Sequence, residues 1–249
     1  MVVDHNQIKL LLIDIELSYA LGYFFPSKKP QYISAKQIKH HQFCLCAAWQ
    51  WDHEVTRHVI KLTDNKKRFK KNFRDDYIIA KILHQLMTEA DVIVAHNGDS
   101  FDLKHANNLF IKHDLGPIPE RKSIDTLKAA RKYFNFAGND LDSLSKRFGG
   151  SGKDRRPCWF KLTDGDPKEI NIAAEYCLQD VKELQRVLVH LKPYIQNLPA
   201  FKGHHDILEC ECCGSKRLRN KGFDWDGKKR YRRISCLECG HHHKAKIKK

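Results

Sequence analysis

Apolar and polar residues follow one another along the chain in a pattern that predicts a sheet built with helices. An apolar run at 8–16 ends in acidic residues and predicts the first strand. Segments 43–51 and 54–62 predict a second and a third strand that are joined by a short polar turn. Two further strands are expected at 92–96 and 121–126.

Helical periodicity separates and follows the later strands. Apolar residues recur at helical spacing in 76–89, helices are expected across 102–113 and after residue 125, and a long helix fits 170–191 before Lys192-Pro193 interrupts it. Strands joined by short turns run antiparallel, whereas strands joined through helices run parallel. The order predicts an α/β fold with a mixed five-stranded sheet flanked by helices.

A change of composition near residue 200 divides the chain. The segment 197–206 contains Pro and Gly and has the composition of a linker. We therefore expect one domain over residues 1–198 and a linker with a small second domain over 199–249.

Charge favours a polyanionic partner. The formal net charge is +15, and residues 201–249 carry 14 Lys and Arg against 6 Asp and Glu. Phosphate contacts release condensed counterions, so nucleic acid is the partner that this charge favours. A basic protein with well-solvated faces is the alternative.

The cysteines are expected to bind metal or to pack in the core. The chain has nine cysteines, no apolar signal-peptide core after Met1, and no apolar run that approaches the roughly 18 residues of a membrane span. These features predict a cytoplasmic protein without membrane contact, where thiols stay reduced. Four cysteines in or beside apolar stretches are expected to be small core residues: Cys44, Cys46, Cys158 and Cys177.

Acidic residues at the end of the first strand form the first candidate motif. Asp14 and Glu16 lie two apart, so their side chains point to one face of the strand. Two such carboxylates repel each other and need a compensating charge. Taken alone, the pair also fits a surface turn.

Two more motifs carry acidic residues. Asn97, Phe101 and Asp102 follow the strand at 92–96, and we expect the Phe101 ring to be buried and to fix the direction of Asp102, although Asp102 also fits a helix cap. Tyr176 and Asp180 lie four apart and so share one helix face.

Asp125 follows the strand at 121–126. It fits either a group that supports the metal ligands or positions substrate, or a cap for the next helix.

In this order, the three motifs resemble those of the tyrosine branch of the DEDD exonuclease superfamily, over about residues 8–195. The chain is similar to the proofreading domains of family B DNA polymerases and, more closely, to stand-alone ribonuclease H-like exonucleases of phages and bacteria. The resemblance implies a ribonuclease H-like fold and metal-dependent 3′-5′ exonuclease activity.

The resemblance also implies a role for each residue. Four carboxylates would hold two Mg²⁺ or Mn²⁺ ions: Asp14, Glu16, Asp102 and Asp180. Asp14 is the best candidate to bridge both ions, and Tyr176 is expected to orient the attacking water by a hydrogen bond. Asn97 and Phe101 are expected to contact the substrate.

Four cysteines near the C-terminus predict a zinc ribbon. Two Cys-x-x-Cys-Gly pairs, Cys210 with Cys213 and Cys236 with Cys239, are separated by 22 residues. This pattern is typical of a structural Zn²⁺ site, and the glycines permit turns that aim backbone N–H groups at sulfur. Cys212 is not needed as a ligand, and His241, His242 and His243 are alternative ligands that the two pairs make unnecessary.

Between the cysteine pairs, basic residues alternate with aromatic ones in a segment that predicts a hairpin turning at Asp226-Gly227. This composition favours contact with phosphates and bases, while a solvated basic hairpin is the alternative.

Together these features predict a 3′-5′ exonuclease acting on nucleic-acid 3′ ends, with single-stranded DNA favoured. The alternatives are a structure-selective endonuclease on the same fold, which would use the same acids, and a non-catalytic nucleic-acid-binding adaptor. Against the adaptor, an inactive site has no physical reason to keep four repelling carboxylates.

Overall fold

The computed structural model describes residues 9–25, 33–152, 155–195, 209–226 and 229–246. The strands are β1 (Leu10–Leu17), β2 (Leu21–Gly22), β3 (Ile38–His40), β4 (Cys44–Trp51), β5 (His58–Lys61), β6 (Val92–Ala95), β7 (Lys122–Asp125), β8 (Leu218–Asp226), β9 (Lys229–Cys236) and β10 (His242–Lys246). The α-helices are α1 (Lys66–Lys71), α2 (Tyr77–Glu89), α3 (Asp102–Lys112), α4 (Thr126–Tyr133), α5 (Leu141–Arg147), α6 (Trp159–Thr163) and α7 (Pro167–Leu191).

Five strands form one mixed sheet in the order β5-β4-β1-β6-β7. β4 runs antiparallel to β1 and β5, whereas β6 runs parallel to β1 and β7. A short connection joins β4 to β5, whereas β2 and β3 lie between β1 and β4 in the sequence; α2 precedes β6, and α3 makes the crossover from β6 to β7. The predicted five-stranded mixed sheet is thus confirmed.

Helices cover both faces of the central strand. The consecutive residues Leu10 to Ile13 of β1 are all almost fully buried, which requires cover on both sides because successive side chains point to opposite faces. α7 packs across β1, β4 and β5, while α2 and α3 pack against each other and against β4 and β1. Only the carboxyl end of β1 is less deeply buried, at Asp14 and Glu16.

The long helix α7 begins three residues before its predicted start. Asp166 caps it by accepting hydrogen bonds from the backbone N–H groups of Lys168 and Glu169, and Pro167 occupies its first turn. It ends at Leu191, before Lys192-Pro193, as expected. The buried stripe has helical spacing and comprises Ile170, Ala173, Ala174, Cys177, Val181, Leu184, Val187, Leu188 and Leu191.

The structure adds elements that the apolar pattern did not predict. α1 is a short basic helix with Phe69 as its one apolar residue, so periodicity could not reveal it, and the Asn65 side chain caps it. The third predicted strand, at 54–62, corresponds to β5, which covers four of those residues. Cys44, Cys46 and Cys177 are buried as expected, but Cys158 is exposed, because it precedes α6 in a surface segment.

The C-terminal residues form a separate three-stranded antiparallel sheet in the order β10-β9-β8. β8 and β9 pair as the two arms of a hairpin, with Asp226 opposite Lys229. The turn was predicted at Asp226-Gly227, and Asp226 ends β8. Gly227, the predicted linker at 197–206 and the predicted domain boundary at 198/199 lie outside the described residues.

Within the described ranges, none of the helices has the length and apolar composition that crossing a membrane requires.

Candidate functional site

Three of the predicted carboxylates meet at the carboxyl end of the central strand. Asp14 and Glu16 point to the same face of β1, and Asp180 approaches them from α7. One carboxylate oxygen of each lies within 4.8 Å of one of each of the others. These oxygens are close enough to share a cation.

Packing between α7 and β1 sets this arrangement. One turn before Asp180, the Cys177 thiol donates a hydrogen bond to the backbone carbonyl of Asp14 at 3.2 Å. Cys177 is fully buried between the helix and the sheet. The contact fixes the height of α7 along β1, and with it the position of Asp180 opposite Asp14.

The fourth carboxylate, Asp102, reaches the same place from the start of α3. Backbone pairing between β1 and β6 covers Leu10 to Leu12, and further along β1 the N–H of Ile15 donates to Oδ1 of Asp102 at 3.3 Å. A buried backbone N–H needs an acceptor, and the carboxylate supplies one. Asp102 is therefore held at Ile15, the residue between Asp14 and Glu16 in β1.

Burial and repulsion between carboxylates make Asp14 and Asp102 hard to ionise in the absence of a cation. Burial, and then the negative charges of Glu16, Asp180 and Asp102, raise the pKa of Asp14 well above its usual range. Burial also raises the pKa of Asp102 to about 7, although backbone N–H groups, including that of Ile15, oppose the shift. Within the described residues, Oδ2 of Asp14 is buried and has no hydrogen-bond partner.

These features fit divalent cations. Hard ions such as Mg²⁺ and Mn²⁺ take carboxylate oxygens as ligands, and their charge would offset the repulsion that raises the pKa values. The four carboxylates carry a charge of −4 when ionised, which matches two such ions. Asp14 interacts with all three of the other acids, since the charge of each raises its pKa.

A pH dependence of stability follows from Asp102. Its pKa is raised in the folded state, so protonation stabilises the fold at low pH and this stabilisation is lost as the pH rises through about 7. Without added Mg²⁺, raising the pH from 5.5 to 8 should lower the free energy of unfolding by about 2 kcal/mol through this group. Urea unfolding followed by circular dichroism measures the difference.

Asp102→Asn provides the control for this experiment. Its amide oxygen can still accept from Ile15 but does not titrate, so its unfolding free energy should depend less on pH than that of the wild type. Removal of the Asp102 charge also lowers the pKa of Asp14, which reduces the pH dependence further, whereas the effects of pH on groups that do not interact with Asp102 cancel in the comparison. Equal pH dependence of the two proteins would contradict the raised pKa.

Tyr176 lies one turn before Asp180 on α7 and is half-buried. It lines a cleft of about 360 Å³ together with Ile172, Arg155 and Lys182. Glu175 lines the same cleft, and the four carboxylates are not among its described lining residues. Ile172 lines this cleft and does not belong to the core. The buried stripe of α7 includes the neighbouring Ala173 instead.

The loop after β6 presents Asn97 and Phe101. Asn97 has a left-handed backbone (φ 65°), which Asn tolerates better than most residues, and its carbonyl accepts from the N–H groups of Ser100 and Phe101. The expectation of a buried Phe101 ring is wrong: the residue is 37% exposed, and its ring packs edge-on against His105. Asp102 is oriented by Ile15 instead.

Asp125 supports this loop and also caps a helix. Its carboxylate accepts from the N–H groups of Leu127 and Lys128 at the start of α4, and from those of Asn97 and Asp99. The cap that its sequence position suggested is present, and the same side chain fixes the loop that precedes Asp102.

An aromatic group near the end of β1 was not found from the sequence. Tyr19, three residues after Glu16, packs its ring against Trp159 and Phe160 of α6, and its N–H donates to Thr163. The Phe160 side chain is 74% exposed. The aromatic residues stand in two distant segments, so only the fold reveals the group.

The four predicted zinc cysteines also meet. The Sγ atoms of Cys210 and Cys239 are 3.6 Å apart, as are those of Cys213 and Cys236, and all four lie within 4.8 Å of one another. Four thiolates around a tetrahedral Zn²⁺ stand about 3.8 Å apart, far beyond the length of a disulfide bond, about 2.05 Å. The geometry fits a zinc ribbon.

Backbone amides point at these sulfurs as the Cys-x-x-Cys-Gly pattern predicted. The N–H of Cys212 donates to Sγ of Cys210, and the N–H of Glu238 donates to Sγ of Cys236. Gly214 and Gly240 have φ of 71° and 73°, values that favour glycine and allow each turn to close. Both turns therefore have the same construction.

Comparisons with known proteins agree with this fold. No curated protein is significantly similar to the chain in sequence. The structure of the family B DNA polymerase from the hyperthermophilic archaeon Pyrobaculum calidifontis matches with a TM-score of 0.55 and 17% identity, over 75% of this chain and 25% of the polymerase chain. The chain is thus similar to one quarter of that polymerase, at an identity that shows a shared fold.

A family model identifies the chain. The model of the RNase_H superfamily matches residues 37–192, a range that contains Asp102, Tyr176 and Asp180. The match covers more than half of the sequence. The protein therefore belongs to the RNase_H superfamily, a superfamily of nucleases.

Proposed function

We propose that this protein is a metal-dependent 3′-5′ exonuclease that shortens nucleic-acid strands, with single-stranded DNA ends as the favoured substrate. The observation that carries the proposal is the meeting of Asp14, Glu16 and Asp180, with Asp102 held beside them on Ile15. A nuclease superfamily and a DNA polymerase as a structural match support the same assignment.

The carboxylates hold the cofactor in this proposal. When bound, two Mg²⁺ or Mn²⁺ ions activate the attacking water and stabilise the leaving 3′ oxygen. Asp14 would be shared by the two ions, because it interacts electrostatically with each of the other three acids. Packing of Cys177 against β1 and the hydrogen bond from Ile15 keep Asp180 and Asp102 in place without a cation.

Tyr176 directs the attacking water. Its phenol lies one helical turn from Asp180 and lines the same cleft as Arg155 and Lys182. A hydroxyl both donates and accepts, so it can orient a water toward the phosphorus. The positive charges of Arg155 and Lys182 attract the phosphate that carries the scissile bond.

Exposed aromatic rings favour an unpaired strand end. Three aromatic residues are each more than one third exposed: Tyr19, Phe101 and Phe160. Tyr19 follows Glu16 by three residues and Phe101 directly precedes Asp102. Phe160 lies on α6, whose Thr163 accepts a hydrogen bond from the N–H of Tyr19. Bases that are not paired can stack on such rings, which bind strands without regard to sequence. The basic ribbon adds electrostatic affinity for the backbone.

Labelled oligonucleotides test the proposed activity. With Mg²⁺ or Mn²⁺, single-stranded DNA carrying a 5′ label should give a ladder of products that shorten one nucleotide at a time from the 3′ end. A phosphorothioate at the 3′-terminal linkage should slow the reaction, and a circular single strand should resist it.

Other outcomes would favour other functions. Cleavage of the circle would indicate an endonuclease that uses the same acids. Binding of the strand without cleavage, with either metal, would indicate a non-catalytic adaptor. Parallel RNA and double-stranded DNA substrates measure the preference for DNA ends.

A further inference from the structure

The described part of the ribbon brings a second group of metal-binding side chains together, apart from the four cysteines. Glu211, His241 and His243 each place one ligand atom within 4.8 Å of those of the others. Glu211 follows the first zinc cysteine, Cys210, whereas His241 directly precedes β10 and His243 is its second residue. Their spacing of two puts both rings on one side of the strand, where they stack 5.8 Å apart.

His241 is held in the way that metal-binding histidines are held. The residue is 2% exposed, and its Nδ1 lies 2.9 Å from the backbone carbonyl of Pro193. A carbonyl oxygen only accepts, so Nδ1 carries the proton and Nε2 keeps its lone pair for a ligand. A backbone carbonyl on the far ring nitrogen is the usual support of a histidine that binds a metal.

His243 offers an independent observation. Its Nδ1 is buried and lacks a hydrogen-bond partner among the described residues. Buried polar atoms in folded proteins nearly always have a partner. A cation bound by His243 together with Glu211 and His241 would give this imidazole the partner that the described protein groups do not supply.

We propose that Glu211, His241 and His243 form a second metal site that binds an ion of the zinc type. Two imidazoles and one carboxylate suit Zn²⁺, Co²⁺ or Ni²⁺, whereas Mg²⁺ prefers oxygen ligands alone. The four cysteines already make a complete tetrahedral set, so the histidines form a site of their own. Three protein ligands leave one coordination position for water or a phosphate oxygen.

The position of the site suggests what the ion does. Pro193 directly follows α7 and its cap, so the hydrogen bond from His241 connects the ribbon to the end of the nuclease fold. An ion that fixes His241 also fixes this connection. One glutamate only partly neutralises a divalent ion, so the site adds positive charge to an already basic module.

Metal content of the full-length chain tests the proposal. Protein stripped of metal, reduced and equilibrated with Zn²⁺ is desalted and analysed by mass spectrometry of the metal, with millimolar Mg²⁺ present to keep Zn²⁺ off the carboxylate cluster. We expect two zinc equivalents in the wild type and one in His243→Ala and in Glu211→Gln. His242→Ala is the matched control, because this neighbouring histidine is exposed and should leave both equivalents in place.

A Co²⁺ titration shows which site each variant loses. Cobalt bound by thiolates gives charge-transfer absorption in the near ultraviolet, and cobalt bound by histidine and carboxylate does not. The wild type should take up a second equivalent that adds visible absorption alone, and Glu211→Gln should lose this second step while it keeps the thiolate band.

Three results would overturn the proposal. One is a wild type that holds a single zinc equivalent, which is lost only in Cys213→Ser. That result would support the cysteine site and contradict the second site. Another is a second equivalent that persists in both His243→Ala and Glu211→Gln. The last is loss of the thiolate band in Glu211→Gln, because the cluster would then support the cysteine site and not a site of its own.

Discussion

Asp14→Asn should abolish nuclease activity and leave the fold intact. The substitution keeps the size of the side chain but removes the negative charge, which the other three carboxylates repel. Loss of a bridging ligand affects both cation positions, so the rate should fall more than about a thousandfold, beyond the loss of a single stabilising hydrogen bond. The measurement is the initial rate on 5′-labelled single-stranded DNA with saturating Mg²⁺.

The same variant has a second readout that does not involve activity. Without Mg²⁺, Asp14→Asn should be as stable as the wild type or more stable, because it removes a repelling carboxylate. With Mg²⁺, the wild type should gain more stability than the variant. A cation that binds the folded state stabilises it, and the variant lacks one of the carboxylates that bind the cation. Thermal unfolding with and without Mg²⁺ measures both differences.

Asp99→Asn is the matched control. Asp99 lies in the same loop as Asp102, but it pairs with Lys128 and Ser123 and stands outside the carboxylate cluster. Its activity should stay near that of the wild type. If Asp14→Asn keeps wild-type activity in protein free of contaminating nuclease, the carboxylate cluster is not the active site.

Tyr176→Phe should slow the reaction by about ten- to a thousandfold, the range expected for loss of one positioned hydrogen bond. The ring and the four carboxylates remain, so cation binding should survive and the loss should be smaller than in Asp14→Asn. Rates at saturating Mg²⁺ compare the two variants, and stabilisation by Mg²⁺ shows whether the cation still binds.

Tyr194→Phe controls for removal of a phenol. Tyr194 is 60% exposed and packs on Phe134 beyond the end of α7, away from the cleft that Tyr176 lines. Its activity should be unchanged. An unchanged rate in Tyr176→Phe would remove this residue from the mechanism, together with the resemblance to the tyrosine branch.

Local patterns in the sequence were enough to predict the five strands of the main sheet and the residue types of the candidate site. The alternation of a strand placed Asp14 and Glu16 on one face, and helical spacing placed Tyr176 one turn from Asp180. The two Cys-x-x-Cys-Gly pairs predicted four sulfurs around one ion, and the distances between Sγ atoms fit that geometry. Each of these features depends on neighbours within a few residues.

Long-range packing decided what local patterns could not. Asp180 meets Asp14 because Cys177 packs on β1, and Asp102 is oriented by the Ile15 N–H, not by a buried Phe101 ring. Burial, which raises the pKa of Asp102 to about 7, depends on the whole surrounding fold.

The ribbon shows the same division. The sequence predicted its cysteine ligands from their spacing alone, because two residues between cysteines fit a single turn around one ion. It offered His241 and His243 only as alternative ligands for that ion. Glu211 lies thirty residues before His241, and only the pairing of β9 with β10 and the turn at Cys210 bring the three side chains together. Sequence spacing determines which groups can share a local turn, and tertiary structure determines which distant groups meet.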